Sequence, residues 1–281
     1  MLCEKHIFSS GVNNINCEKI TSRKNPKIAA ACSLADKKSR DSTGLFVAEG
    51  IKLIKELILE GVKIHRLFFT EKAKNRFYDT LIKAQEAGCE LYEVTDEVYE
   101  KLSAEKNPEG IFAQAQKTSV YGSCADTPGS GGFLILDGIQ NPSNVGTVIR
   151  TASALGISRI LLGEGCADIF SHKTLRASMG SLFKVHICIT EDLCGEIDYL
   201  KKQGAHIYAA MLDKDSTDIR SAEFSRDDCI VLGNEGNGIS DKVSAVCDRK
   251  VIIPMQLGTE SLNAASAAAI LMWEKQKGVL E

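Results

Sequence analysis

Three short segments in the second half of the chain hold residue types that can act on a substrate. The first is Asn141-Pro142-Ser143-Asn144-Val145-Gly146-Thr147-Val148-Ile149-Arg150. The second is Leu232-Gly233-Asn234-Glu235-Gly236-Asn237-Gly238-Ile239, and the third runs from Ile252 through Pro254 to Ser261-Leu262-Asn263. In the first, Val145, Val148, Ile149, Ala152 and Leu155 recur at helical spacing and form one apolar stripe. At about 100° per residue, Arg150 points roughly 160° away from that stripe, and Asn144 stands where a helix cap is wanted. An outward guanidinium can clamp a phosphate bidentately or stabilise a developing alkoxide. It accepts a proton only where its surroundings shift it strongly, because a guanidinium otherwise stays protonated. A capped helix with a solvated arginine explains the same residues without chemistry. In the second segment, three glycines in six residues let the backbone approach a ligand. A plain turn accounts for those glycines, but not for Glu235, an acid set among them directly after an apolar run. In the third, Ser261 and Asn263 introduce an alanine-rich helix that Ser261 can cap.

Other chemistries find no support. The second segment reads Gly-x-x-Gly-x-Gly, which fits neither the dinucleotide fingerprint nor a phosphate loop ending in Gly-Lys-Ser/Thr. His6, His65, His172, His186 and His206 form no ligand pair four residues apart, and His186 and His206 sit in strand patterns as structural residues. Ten cysteines occur with no Cys-x-x-Cys, which gives no zinc site. Several lie in apolar runs, as buried reduced thiols do, so a reducing cytoplasm is expected. The expected metal requirement is none.

These segments need strands to present them. Phe133–Leu136, Arg159–Leu162, Lys184–Ile187, His206–Ala209, Cys229–Leu232 and Val251–Ile253 read as strands, and the stretches between them favour helix. Nearly continuous apolar runs mark strands buried on both faces, so a parallel sheet covered by helices is expected. Ligands bind at the carboxyl ends of such strands, where all three segments fall. Leu262, Ala265, Ala269, Ile270 and Trp273 are expected to share the packed face of a helix from Ser261 to Lys277.

Earlier in the chain, Leu45–Ala48, Leu67–Phe69, Glu90–Val94 and Gly110–Ala115 read as strands and Gly50–Ile58 as an amphipathic helix. The boundary falls in 118–132, where small and turn-forming residues dominate and no helix or strand is expected. Residues 1–18 read as a weakly ordered leader without the apolar core of a secretory signal, and no run is long enough to span a membrane. The fold class is α/β in two domains, 19–117 and 133–281. Net charge is −3, but residues 19–76 hold 14 Lys/Arg against 6 Asp/Glu, a surplus of eight positive charges. Arg23, Lys24, Lys27, Lys37, Lys38 and Arg40 are the densest part of that surplus and the candidate contacts to RNA phosphates.

The order and content of the three segments resemble the SpoU/TrmH family of RNA ribose 2′-O-methyltransferases, within the superfamily of trefoil-knotted methyltransferases. The resemblance covers roughly residues 131–278. It implies a C-terminal knot, which no periodicity encodes, and S-adenosyl-L-methionine as cofactor. It implies that Asn144, Arg150, Glu235, Ser261 and Asn263 form the catalytic pocket, and that Gly233, Ile253 and Leu262 hold the cofactor by their backbones. It also implies a homodimer in which Arg150 faces the cofactor of the other subunit. Phe46-Val47-Ala48-Glu49-Gly50 and Asn107-Pro108-Glu109-Gly110-Ile111 resemble the substrate-binding domain, related to ribosomal RNA-binding proteins, that often precedes the catalytic one. The family often carries a stretch like Arg176-Ala177-Ser178-Met179-Gly180-Ser181 in a supporting role. The expected reaction is 2′-O-methylation of a ribose in structured RNA, with 23S rRNA favoured. A tRNA ribose methyltransferase and a non-catalytic RNA-binding or ribosome-assembly protein are the alternatives.

Overall fold

A computed structural model describes residues 14–256 and 261–277. Leu257–Glu260 of the third segment, and most of the expected leader, lie outside these residues.

The first half is built on a five-stranded sheet, β1 (Glu18–Ile20), β2 (Leu45–Glu49), β3 (Ile64–Phe69), β4 (Glu90–Val94) and β5 (Ile111–Gln116), in the order β1-β4-β3-β5-β2. The pairs β1/β4 and β3/β4 are parallel, while β5 runs antiparallel to β2 and β3. Its helices are α1 (Pro26–Ser33), α2 (Lys37–Thr43), α3 (Ile51–Leu59), α4 (Glu71–Arg76), α5 (Tyr78–Glu86) and α6 (Asp96–Leu102). Several start on a side-chain cap of the expected kind: Asn25, Asp36, Thr70 and Thr95 each accept a backbone N–H of the first turn. β1 begins beside β4 at Glu18, the last residue of the expected leader.

The second half is an eight-stranded, all-parallel sheet. Its strands are β6 (Val120–Tyr121), β7 (Leu134–Asp137), β8 (Arg159–Leu162), β9 (His186–Ile189), β10 (Ile207–Ala210), β11 (Thr217–Asp218), β12 (Cys229–Gly233) and β13 (Arg249–Ile252). Their order is β11-β13-β10-β12-β7-β8-β9-β6. The helices are α7 (Pro142–Ala154), α8 (His172–Ser178), α9 (Leu193–Lys202), α10 (Asp241–Val246) and α11 (Ala264–Gln276). The boundary segment is not free of structure as expected: β6 lies in it and pairs with β9, placing Tyr121 opposite Cys188. A β-branched and an aromatic residue suit that open sheet edge, and Cys124 and Thr127 just beyond are buried. Lys184, expected to begin a strand, instead ends a 3-10 turn over Ser181–Lys184, and β9 starts at His186.

Arg40 departs most from expectation. Its guanidinium is buried, donating to the carbonyls of Leu34 and Ala35 at 2.7 and 2.8 Å and pairing with Asp168 of the other half. It therefore joins the two halves and is withdrawn from any RNA-facing role. Apolar packing is also continuous across them, with the Phe46 ring centroid 5.2 Å from Phe170 and 5.8 Å from Phe183. The packed face of α11 also differs from the expected one. Ala265, Ala268, Leu271 and Met272 face inward, while Ile270 and Trp273 are exposed. A helix apolar all round gives no stripe to choose by.

None of the nine described cysteines is in a disulfide. Four are buried, and burial pushes the Cys89 thiol up to about 12. Cys3 lies outside the described residues. No described helix is long and apolar enough to cross a membrane.

Candidate active site

The strand order places the site. β7 has β8, β9 and β6 on one side and β12, β10, β13 and β11 on the other, so the direction of winding reverses between β7 and β12. Crevices form at the carboxyl ends of strands at such a point. The two strands end level there, Asp137 opposite Gly233.

After a four-residue loop from β7, α7 begins at Pro142, and its cap is Asn141, whose side chain accepts the Ser143 N–H at 2.9 Å. Asn144 is therefore not the cap. It lies inside the first turn, buried, with both ends of its amide engaged. Its Nδ2 donates to Glu235 Oε1 at 2.9 Å, and its Oδ1 accepts from Asn263 Nδ2 at 3.1 Å. Asn263, rather than Ser261, caps α11, its Oδ1 accepting the N–H groups of Ala265 and Ser266. Capping fixes the Asn263 amide so that its Nδ2 faces Asn144. Glu235 also accepts the backbone N–H groups of Gln140 and Asn141, each at 3.3 Å. A carboxylate and two amides thus tie the three segments into one hydrogen-bonded chain. Burial pushes the Glu235 carboxyl up, but the Asn144 amide and the backbone N–H donors more than offset this and hold it below its ordinary value. It works as an ionised acceptor.

Beside this chain opens a cavity of about 590 Å³. Gly233, Ile253 and Leu262, the three backbone-contact candidates, all line it, as do Glu235 and Ser261. Leu232, Ile239, Ile252 and Leu271 supply apolar walls, and Ala264 and Ala267 keep the α11 side thin. The volume lies within the range of small-molecule sites, and apolar walls with a few convergent polar groups are their usual lining. Gly233 has a second, structural role. A Cβ there would stand 2.1 Å from the Gly238 carbonyl carbon and the Ile239 nitrogen, because the loop folds back in a bridge between Asn234 and Gly238.

Arg150 is exposed on α7, does not line the cavity, and has no hydrogen-bond or ion-pair partner among the described residues. Arg23, Lys24, Lys37 and Lys38 are exposed. Lys27 is less free, paired with Glu18 at 2.7 Å and lying 4.3 Å over the Tyr92 ring.

Some shaping residues escaped the sequence reading. Asn234 holds the glycine loop, donating to Gly138 O at 2.8 Å and accepting from Gly236 and Asn237 N–H. Its Asn-Glu-Gly context is a turn signal that could have found it. Asp137 at the end of β7 accepts Ser240 N–H at 2.7 Å. Glu49, Glu105 and His172, far apart in sequence, gather where the two halves meet.

The arrangement matches a family model described as the SpoU rRNA Methylase family over residues 132–273. The chain belongs to this family. A second model, the MRM3-like substrate binding domain, matches residues 25–113. The 23S rRNA (guanosine(2553)-2'-O)-methyltransferase RlmP of Bacillus subtilis is 28% identical over 256 residues, covering 91% of this chain and 98% of that protein. An uncharacterized tRNA/rRNA methyltransferase of Synechocystis is 29% identical over 260 residues, covering 92% of this chain and 93% of that protein. The AdoMet-bound rRNA methyltransferase of Sinorhizobium meliloti superposes with a TM-score of 0.82 at 29% identity, covering 94% of this chain and 99% of that one. The residues of this SpoU chain that the family model matches include Asn144, Glu235 and Asn263, which close the hydrogen-bonded chain beside the cavity.

Proposed function

We propose that the protein is an S-adenosyl-L-methionine-dependent RNA ribose 2′-O-methyltransferase that acts as a homodimer on structured ribosomal RNA in the cytoplasm. The observation that carries this is the hydrogen-bonded chain from Glu235 through Asn144 to Asn263 at the edge of the 590 Å³ cavity. The similarity to rRNA methyltransferases of Bacillus subtilis and Sinorhizobium meliloti favours that RNA over tRNA.

When bound, the cofactor supplies an electrophilic methyl group on its sulfonium. The backbones of Gly233, Ile253 and Leu262 would hold it, within the apolar walls of the cavity. Ser261, Asn263 and Asn144 line the place of the incoming ribose, and Glu235 fixes Asn144 and the start of α7. Arg150 serves the 2′-OH as proton acceptor or as clamp on the neighbouring phosphate. An Arg150 remote from the cavity of its own subunit supports a dimer that brings it to the partner's cavity. The exposed Ile270 and Trp273 of α11, a helix packed against α7, offer apolar surface for such a contact.

Gly233 gives a direct test of the cofactor site. Gly233→Ala must push the Gly238–Ile239 backbone outward, since an approach of 2.1 Å leaves no room for a Cβ. Overpacking of this kind costs roughly 1–3 kcal/mol, so S-adenosylhomocysteine binds about tenfold more weakly or worse in calorimetry. Unchanged affinity would detach the loop from the cofactor.

RNA grip rests on Arg23, Lys24, Lys37 and Lys38. In filter binding at several salt concentrations, Lys37→Ala with Lys38→Ala flattens the log–log salt slope by roughly 1.4–1.8, the value for two lost phosphate contacts to single strands or duplex. An unchanged slope would mean those lysines are solvated surface. The function itself is tested by incubating the protein and cofactor with RNA from a strain lacking the gene and mapping new 2′-O-methyl groups. No methylated ribose in either rRNA or tRNA would leave the assembly-protein alternative standing.

A further inference from the structure

We infer that residues 168–184 form a positioning wedge that sets the RNA-gripping half in register with α7, and that Asp168 and Glu105 are positioning residues for methyl transfer. This rests on the methyltransferase reading above.

One face of the wedge meets the first half. Arg40 donates to Asp168 Oδ2 from both Nε and Nη2, while Asp168 Oδ1 accepts the Phe170 N–H at 2.9 Å. Phe170 and Phe183 flank Phe46, and Lys117 lies 5.3 Å over the Phe170 ring. His172 Nε2 stands 3.7 Å from Glu49 and 3.5 Å from Glu105, and Arg176 pairs with Glu105. Lys184 pairs with Glu56 at 2.7 Å.

The other face meets α7. α8 lies so close that a Cβ on Gly146 would stand 2.5 Å from Thr174 O and 2.6 Å from Ala177 Cβ. Gly146 is two residues from Asn144 and one helical turn from Arg150. Contact at backbone distance leaves no soft layer to absorb a shift. The wedge also holds Met179 at φ 50°, the one non-glycine positive φ among the described residues, where the chain turns from α8 into the 3-10 turn. Such conformations persist where the surroundings over-determine them.

An apolar interface alone can slide, whereas ion pairs and hydrogen bonds set direction and register. Misplacement by about 1 Å is enough to cost on the order of 10²-fold in rate. The wedge therefore decides which ribose meets the cavity, while the lysines decide how tightly the RNA is held.

Asp168→Asn is the sharp test. It keeps the size, the acceptor for Phe170 and the two carbonyl partners of Arg40, and replaces the charged oxygen that accepts from Arg40 with an amide NH2, so the ion-paired contact across the halves is lost. Glu105→Gln, at the rim, removes the negative charge that faces His172 and Arg176 without touching the core, and leaves Glu49 beside His172. The measurements are turnover and affinity on the RNA that the wild type methylates, S-adenosylhomocysteine binding, and mass-spectrometric mapping of the methyl group. Turnover is expected to fall about tenfold to 10²-fold, with cofactor and RNA affinities within about threefold and methyl groups appearing on riboses flanking the target. Unchanged turnover and target in both variants would overturn the inference. So would weaker RNA binding with turnover intact, which marks a merely adhesive interface. If Asp168→Asn loses cofactor binding through misfolding, Glu105→Gln decides by the same criteria. A wild type that methylates no RNA would remove the functional reading, and the wedge with it; an active wild type with indifferent variants would remove the wedge alone.

Discussion

Arg150→Ala lowers methyl transfer by on the order of 10²-fold or more, whether the guanidinium accepts the ribose proton or stabilises the developing charge. Folding and S-adenosylhomocysteine binding stay near wild type. Arg150 is exposed, outside its own cavity and without a described partner, so its removal leaves no cavity and no orphaned group. Turnover within a few-fold of wild type would reduce it to a solvated residue.

The same variant tests the shared site. Arg150→Ala protomers mixed with Gly233→Ala protomers give half heterodimers, each with one site combining an intact cavity and the partner's intact arginine. About a quarter of wild-type activity is then recovered, as a symmetric pair with crossed sites requires. If each subunit uses its own arginine, mixing gives no more than the average of the two parent variants.

What was legible in the sequence follows from how local the information is. Arg159–Leu162 and Glu90–Val94 form strands over the residues their patterns indicate, because each short run is bounded by turn residues and needs no distant partner to be recognised. The three site segments were legible for the same reason. The caps were misread although a signal was present. Pro142 at the first helical position marks Asn141 as the cap and frees Asn144 to reach Glu235. Arg40 was not legible, because the partner that buries it is 128 residues away and a charge count treats every arginine as solvated. Nor was the inward face of α11, since Ala264–Ala269 and the residues after them are apolar in almost every direction. β6 owes its existence to the free edge of β9, and a two-residue strand leaves no period to detect. The shared Phe46–Phe170–Phe183 packing also means that the catalytic half is not a clean fragment, since cutting near Gly131 strips β6 and uncovers those rings.

Asn144→Asp is the most economical way to break the site. It preserves volume, and Oδ1 still accepts from Asn263, so one contact alone changes character. The Nδ2 donor 2.9 Å from Glu235 becomes an oxygen facing a carboxylate that is ionised at neutral pH, since its hydrogen bonds hold it below the ordinary range. Two carboxylates at that distance repel, and one of them takes up a proton well above its usual range. With Glu235 pushed off, the N–H groups of Gln140 and Asn141 lose their acceptor and α7 shifts against the cavity. Turnover at neutral pH falls on the order of 10²-fold, as expected for displaced catalytic groups. Stability follows pH in a defined direction. In the wild type, a carboxylate with a depressed folded value contributes stability that is present above its unfolded value of about 4.3 and is lost as pH falls through the folded one. In Asn144→Asp the pair is most repulsive when both groups are charged, so the deficit in melting temperature is largest near pH 7 and shrinks on acidification toward pH ~5, where the pair shares a proton. Thermal melts of both proteins across that interval read the difference directly. A deficit independent of pH, or near-normal turnover at pH 7, would show that the Glu235–Asn144–Asn263 chain does not hold the three segments in place.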